Sequence, residues 1–155
     1  MPRQYPIAEA VIVIWQFMDK DAFRLHVHNS IHAISPDDWN KLSGTENPFV
    51  QYDFLSALED GGAVGANSGW NIAHLALYDT SNKLLGVAPH YLKQHSYGEY
   101  IFDHSWAHAF ERAGGAYYPK SLNAVPFTPA TGPRLLVTNG DATQKAAMAR
   151  GLTSL

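Results

Sequence analysis

Two carboxylates and a phenol lie close together at Tyr97, Glu99 and Asp103 in the run Tyr97-Gly98-Glu99-Tyr100-Ile101-Phe102-Asp103. Read as a strand, that run puts Tyr97, Glu99, Ile101 and Asp103 on one face and Tyr100 and Phe102 on the other. A carboxylate on such a face can serve as a general base, and a phenol as proton donor or positioner. Glu99 is therefore the candidate base, Tyr97 the candidate donor, and Asp103 the third catalytic candidate. On a strand the two acids stand ~13 Å apart, at about 3.3 Å per residue. Glycosidase carboxylate pairs are separated by roughly 5–9.5 Å, so this strand alone does not make a glycosidase. A solvated strand face beside an aromatic core face gives the same pattern.

Other residues offer chemistry at weaker spacing. Ser96, Ser105, Thr128 and Thr131 are hydroxyls, but none stands in a Gly-x-Ser-x-Gly elbow. Arg134, after Gly132-Pro133, can hold a carboxylate or phosphate in a bidentate fork, or pair with a surface acid. His104 and His108 share one helix face with Glu111 a turn on, and His26-x-His28 on a strand points two imidazoles one way. Zinc sites want a denser ligand set, and the chain has no cysteine and no His-Glu-x-x-His, so no metal is expected. Trp39, Trp70 and Trp106 read as core or pocket-lip aromatics.

The elements that must position these groups belong to a chain of 155 residues, enough for one domain that buries about two-thirds of its unfolded surface. Hydrophobic residues make up 46% and charged residues 16%, a globular composition with sparse surface charge. A net charge of −3, with basic residues scattered singly, excludes any general attraction to nucleic acid. The absence of cysteine fits the cytoplasm. The apolar run Ile7–Phe17 is too short to span a bilayer, carries Glu9, and lacks a cleavage site, so it reads as a strand or leader.

Ser35-Pro36-Asp37-Asp38 starts a short helix that stops near Gly44. A second follows Asn47-Pro48, carries Phe49, Tyr52, Phe54, Leu55 and Leu58, and closes at Gly61-Gly62. Trp70–Tyr78 and Leu84–Lys93 form a hairpin around Asp79-Thr80-Ser81-Asn82, with Pro89 marking an edge or bulge. His104–Ala113 is a helix ended by Gly114-Gly115, and Ser121–Thr128 and Arg134–Thr138 are strands. Asp141 caps a last helix with Ala142, Ala146, Ala149 and Leu152 along one face. That uncovered face reads as the front piece of a longer protein and predicts self-association.

Two blocks carry a resemblance. One is Ser35–Leu58; the other runs HLALYDTSNKLLGVAPHYLKQHSYGEYIFDHSWAHAFERAG and then YYPKSLNAVPFTPATGPRLL. Together, over about residues 19–155, they resemble the FemAB-like branch of the GNAT superfamily, N-acyltransferases associated with peptidoglycan synthesis or recognition. The resemblance implies a mixed α/β (α+β) GNAT-like fold, with a mainly antiparallel sheet flanked by helices. It makes residues 1–18 an unmatched leader and 19–155 the first of two halves, with the C-terminal half missing. It implies acyl or aminoacyl transfer to an amine, with a small-molecule or cell-wall precursor as substrate. The alternative is a non-catalytic half that binds the precursor or docks the second domain.

Within that reading Glu99, Tyr97 and Asp103 are the catalytic candidates, and Ser105, Trp106, Thr128, Thr131 and Arg134 the substrate-binding ones. Acyl-coenzyme A or aminoacyl-tRNA would be the donor of the full-length protein. GNAT enzymes bind the coenzyme A pyrophosphate on a glycine-rich loop before a helix, where free amides face the anion. The corresponding Ala130-Thr131-Gly132-Pro133-Arg134-Leu135 has one glycine, and Pro133 removes a donor. No cofactor is expected on this fragment.

Overall fold

Leu75 and Leu77 point to one side of a strand and Ala76 and Tyr78 to the other, and both sides are covered. This strand lies near the centre of the chain's larger sheet. The computed structural model describes residues 23–152, so the Ile7–Phe17 run and the expected leader boundary lie outside them. Seven strands form two antiparallel sheets: β1 (Phe23–His28), β3 (His74–Asp79), β4 (Leu84–Ala88) and β7 (Leu136–Val137) in the order β1-β3-β4-β7, and β2 (Trp70–Ile72), β5 (Tyr91–Lys93) and β6 (Lys120–Leu122) in the order β2-β5-β6. Four helices accompany them: α1 (Pro36–Ser43), α2 (Tyr52–Asp60), α3 (His104–Arg112) and α4 (Ala142–Leu152). This is the mixed α+β class with antiparallel sheets and flanking helices, and it is compatible with a GNAT-like arrangement.

The helix boundaries follow local chemistry. Ser35 Oγ accepts the Asp38 amide at 3.3 Å, Pro36 occupies the first turn, and Gly44 at φ 68° ends α1. Asn47 caps a single 3-10 turn at Pro48–Val50 before α2 begins. Trp39 from α1 is fully buried, and its indole donates to the Val50 carbonyl at 2.8 Å. With Ile31, Ile34, Val50 and Leu55 it covers the Ala76/Val87 side of the sheet. On the other side α4 lays Ala147 and Met148 against Leu25, Leu75, Leu77 and Val137.

Several sequence expectations need correction here. Trp70–Tyr78 and Leu84–Lys93 are each two strands, because the hairpin bends at Ala73 and at Pro89-His90 and passes from one sheet to the other. Pro89 marks this break rather than an edge, since β4 has β3 and β7 on either side. The strands expected at Ser121–Thr128 and Arg134–Thr138 shrink to β6 and β7, the prolines between them having no amide to donate. Asp141 does cap α4, accepting the Gln144 amide at 2.8 Å. Ala142, Ala146 and Ala149 are exposed, as expected of an uncovered face, and the helix meets the sheet through Ala147 and Met148 instead.

Two buried histidines close the bend. The His90 amide donates to His74 Nδ1 at 3.2 Å. His90 Nδ1–H donates to the Ala73 carbonyl at 3.0 Å, and its Nε2 accepts from Ser121 Oγ at 2.7 Å. Burial pulls His74 down to about 3, helped by the nearby His90 and His28, and pulls His90 down to about 4 against the Ala73 carbonyl.

Two outcomes follow from this packing. A Cβ on Gly86 would lie 2.7 Å from Met148 Sδ and 2.9 Å from Val137 Cγ1, so α4 rests on bare backbone there. Gly86→Val should therefore lose about 1–3 kcal/mol in urea titration. The neutral histidines also make the fold acid-sensitive. Below the unfolded pKa near 6.5 the unfolded chain takes up protons that the folded one refuses, so stability falls as pH drops. For His90 that loss, complete near pH 4, is on the order of 3 kcal/mol and is measurable by titrating stability between pH 7 and 4.

Candidate functional site

Lys93 and Lys120 face each other directly across the β5–β6 pair. Like charges at such positions repel, so the chain must bring acids to them. It does so with the segment between β5 and α3. The expected strand from Tyr97 to Asp103 is not formed; these residues are an irregular turn, with Gly98 at φ 79° and the Glu99 amide donating to the Ser96 carbonyl at 3.2 Å. Only glycine fits at position 98, where a Cβ would be 2.4 Å from the Phe127 ring and 2.9 Å from Trp70 Nε1. The turn folds Glu99 and Asp103 inward onto the same ammonium. Lys120 Nζ donates to Glu99 Oε2 at 2.6 Å and to Asp103 Oδ2. Thus the two acids expected ~13 Å apart at about 3.3 Å per residue share one partner.

Asp103 is the most heavily bonded of the group. Besides Lys120 it accepts hydrogen bonds from Ser96 Oγ and, at 2.6 Å, from Tyr117 Oη. Burial alone would raise its carboxyl, but the hydrogen bonds from Lys120, Ser96 and Tyr117 outweigh that and hold it well below the usual carboxylate range. Asp103 also occupies the N-cap position of α3, yet makes no capping bond there. An aspartate that forgoes its cap in favour of a partly buried lysine marks a place where local rules yield to the site. The Ser96 hydroxyl is shared with Tyr118 Oη, tying both tyrosines into the network.

Lys93 is fully buried, donating to the Tyr97 carbonyl at 2.8 Å, with its ammonium 3.7 Å from the Trp70 ring centroid. Burial pulls it down to about 8, opposed by the charge of Glu99 and assisted by that of Lys120. Lys120 itself is raised: its burial is outweighed by the bonds to Asp103 and Glu99. Glu99 has a side chain only 9% exposed, and its Oε1 meets no hydrogen-bond partner among the described residues.

The other candidates scatter. Tyr97 is 71% exposed, with its ring against His95 and only its carbonyl in the network. Ile101, expected on the inner face, is 81% exposed. Ser105 and Trp106 lie on the outside of α3, Ser105 in a shallow depression with His104, His108 and Arg112. Thr128 is half-buried and Thr131 exposed, the latter's carbonyl accepting from Asn47 Nδ2. Arg134 curls onto its own loop, donating to the carbonyls of Ala130, Gly132 and Pro133. Carbonyls rather than amides converge there, and Asp141 caps the next helix. His26 and His28 share one side of β1, against Tyr78. Among the described residues, no three His, Asp or Glu gather in a metal-binding group.

Sequence reasoning missed Lys93, Lys120 and Tyr117. The available signal was a lone lysine after an aromatic pair in Tyr117-Tyr118-Pro119-Lys120, and another closing an apolar strand at Lys93. A charge in such a setting needs a partner, and the two orphan carboxylates nearby supply it.

A family model described as peptidoglycan biosynthesis/recognition, FemAB-like, matches residues 30–155. The chain belongs to the FemAB-like family. Neither the curated proteins nor the solved structures searched contain a match. The family places the protein's role in the chemistry of peptidoglycan, and the whole Lys93–Lys120 network lies inside the matched span. Among the described residues no helix is long and apolar enough to cross a membrane.

Removing the shared ammonium tests the electrostatics. Lys120→Met should cost about 3–5 kcal/mol at pH 7, because two largely buried carboxylates lose their counter-charge. In the parent, Asp103 has a depressed pKa and its contribution fades below about pH 4. The stability gap between the two proteins should therefore narrow as pH falls below about 4 in parallel denaturant titrations.

Proposed function

We propose that the FemAB-like chain serves acyl or aminoacyl transfer to an amine of a peptidoglycan precursor. In this reading it is the first of two GNAT-like halves, acting in the cytoplasm, and its own part is to hold the precursor. One observation carries the assignment of that part: both carboxylates of the site are bound to a single, partly buried lysine. A general base must be free to reach its proton and must titrate near the working pH. Asp103, held far below the usual carboxylate range by three donors, meets neither condition. Glu99 has one oxygen committed to Lys120 and the other buried without a hydrogen-bond donor among the described residues, so it too is not free to reach a substrate's proton. The roles first assigned to Glu99 and Asp103 are thereby recast from proton transfer to recognition, with Tyr97 and Trp106 as exposed aromatic contacts.

The acyl donor is assigned elsewhere. Acyl-coenzyme A or aminoacyl-tRNA would meet the second half, because the Ala130–Leu135 loop spends Arg134 on its own carbonyls. Calorimetry tests both statements on the whole chain. A soluble disaccharide-peptide fragment of peptidoglycan should bind, and acetyl-coenzyme A should bind more weakly than about 1 mM. Micromolar acetyl-coenzyme A affinity that disappears in Arg134→Ala would overturn the division of labour. No binding of the fragment would overturn the recognition role.

A further inference from the structure

At the turn end of the β3–β4 pair, away from the bend that leads to Lys93, an open cavity of about 580 Å³ lies between α1 and the sheet. That volume suits a small organic molecule. One wall is aliphatic, made by Ala33, Ile34, Leu42 and Leu84. Ile34 belongs to the core, and Leu42 and Leu84 pack against the same cluster half-buried, so this wall is fixed in place.

The rest of the lining offers donors. Asn82 Oδ1 is taken by Arg24 Nη2 at 2.6 Å, which fixes the amide group and leaves its NH2 free to donate. The Tyr78 hydroxyl has one long contact, 3.5 Å from His28 Nε2, and burial, then the Asp38 charge, raises its pKa so that it keeps its proton. Lys41 is paired with Asp38 at 2.9 Å. The Lys83 ammonium, by contrast, has no hydrogen bond or ion pair among the described residues. Neighbouring Asp79 is folded onto its own turn, accepting the Ser81 and Lys83 amides at 2.8 and 2.9 Å. The charged lining is therefore two lysines against one aspartate, one positive charge in excess. A single negative charge is matched there, whereas a doubly charged phosphate would bring an uncompensated charge towards Asp38.

We infer that this cavity binds a small aliphatic carboxylate, with its anionic end on Lys83, Asn82 and Tyr78 and its hydrocarbon against Ile34, Leu42 and Leu84. The site stands at the other end of the hairpin from Lys93 and does not rest on the peptidoglycan reading. Such a carboxylate has two sources, a free branched-chain acid or the C-terminus of a peptide with small aliphatic side chains.

The test titrates the whole chain with isocaproate, its neutral amide and N-acetylated dialanine, following backbone amide shifts by heteronuclear NMR. Isocaproate should bind in the millimolar range, with shifts confined to residues 33–42 and 78–84. The neutral amide should bind about fivefold more weakly, the worth of one exposed charge pair. Lys83 is exposed, so Lys83→Gln leaves the fold intact. This variant should bring isocaproate down to the affinity of the amide and leave the amide itself unchanged, a split that a folding defect would not give. Tighter binding of N-acetylated dialanine, also lost in Lys83→Gln, would uphold the site with a peptide as the source; the reverse order would uphold it with a free acid. Equal affinity for isocaproate and its amide, or unchanged isocaproate binding in Lys83→Gln, would overturn the carboxylate assignment. No shifts with any of the three would show that the cavity is not a binding site.

Discussion

One hairpin runs through both sheets, and the position of every group in the site follows from its bend. Its outer halves, β3 and β4, lie side by side within the larger sheet, and its inner halves, β2 and β5, build the smaller one. The crossing is made where Pro89 has no amide to give and His90 can turn its ring inward. Across the gap the Ala73 amide reaches the His90 carbonyl at 3.0 Å, while the two imidazoles satisfy each other's neighbourhood without carrying charge. The bend therefore depends on neutral histidine. It also delivers Lys93 to the end of β5, opposite Lys120, and so sets the electrostatic problem that the rest of the site answers.

That answer is unusual in how it distributes free energy. Most connecting segments are held by apolar anchors or by turn geometry. The segment from Gln94 to Asp103 instead inserts its acids and leaves Tyr97, Tyr100, Ile101 and Phe102 outside. Its inner side faces two ammonium groups, where an apolar ring would leave charges unpaired at a cost of several kcal/mol. Carboxylates belong there, and the rings that accompany them in sequence go to the surface because nothing inside has room or reason for them. The aromatic surface is thus a consequence of the buried charges. The two features belong to one device, not to two.

Much of this architecture was legible in the sequence, and the failures share a cause. The caps at Ser35 and Asp141, the Asp79 turn, the α3 boundaries and the pairing of the central hairpin depend on residues near in sequence, and all are found. So did the alignment of His26 and His28 on one side of β1. The Tyr97–Asp103 segment failed because alternation of polar and aromatic residues has two physical origins. A strand produces it by placing successive side chains on opposite faces. A tight turn around Gly98 produces it by folding acids inward and rings outward, and the pattern alone does not separate these. What decides is Lys120, seventeen positions beyond Asp103, and a partner at that distance carries no local signal. The side of α4 that packs on the sheet went unread for a related reason: with small residues almost all round the helix, Met148 under Gly86 sets that side.

The position of Asp103 shows how fold and site are joined. It stands where α3 begins, and a cap from its side chain would stabilise that helix by about 1 kcal/mol. The carboxylate is turned away to Lys120, Ser96 and Tyr117, leaving the first turn of α3 without that bond. Only Ala107 of this helix is buried, so neither its start nor its body is firmly held by the core. What holds α3 is its attachment, through Asp103, to the ion network. The charge balance at Lys120 and the start of the helix that carries Trp106 are therefore joined through one aspartate.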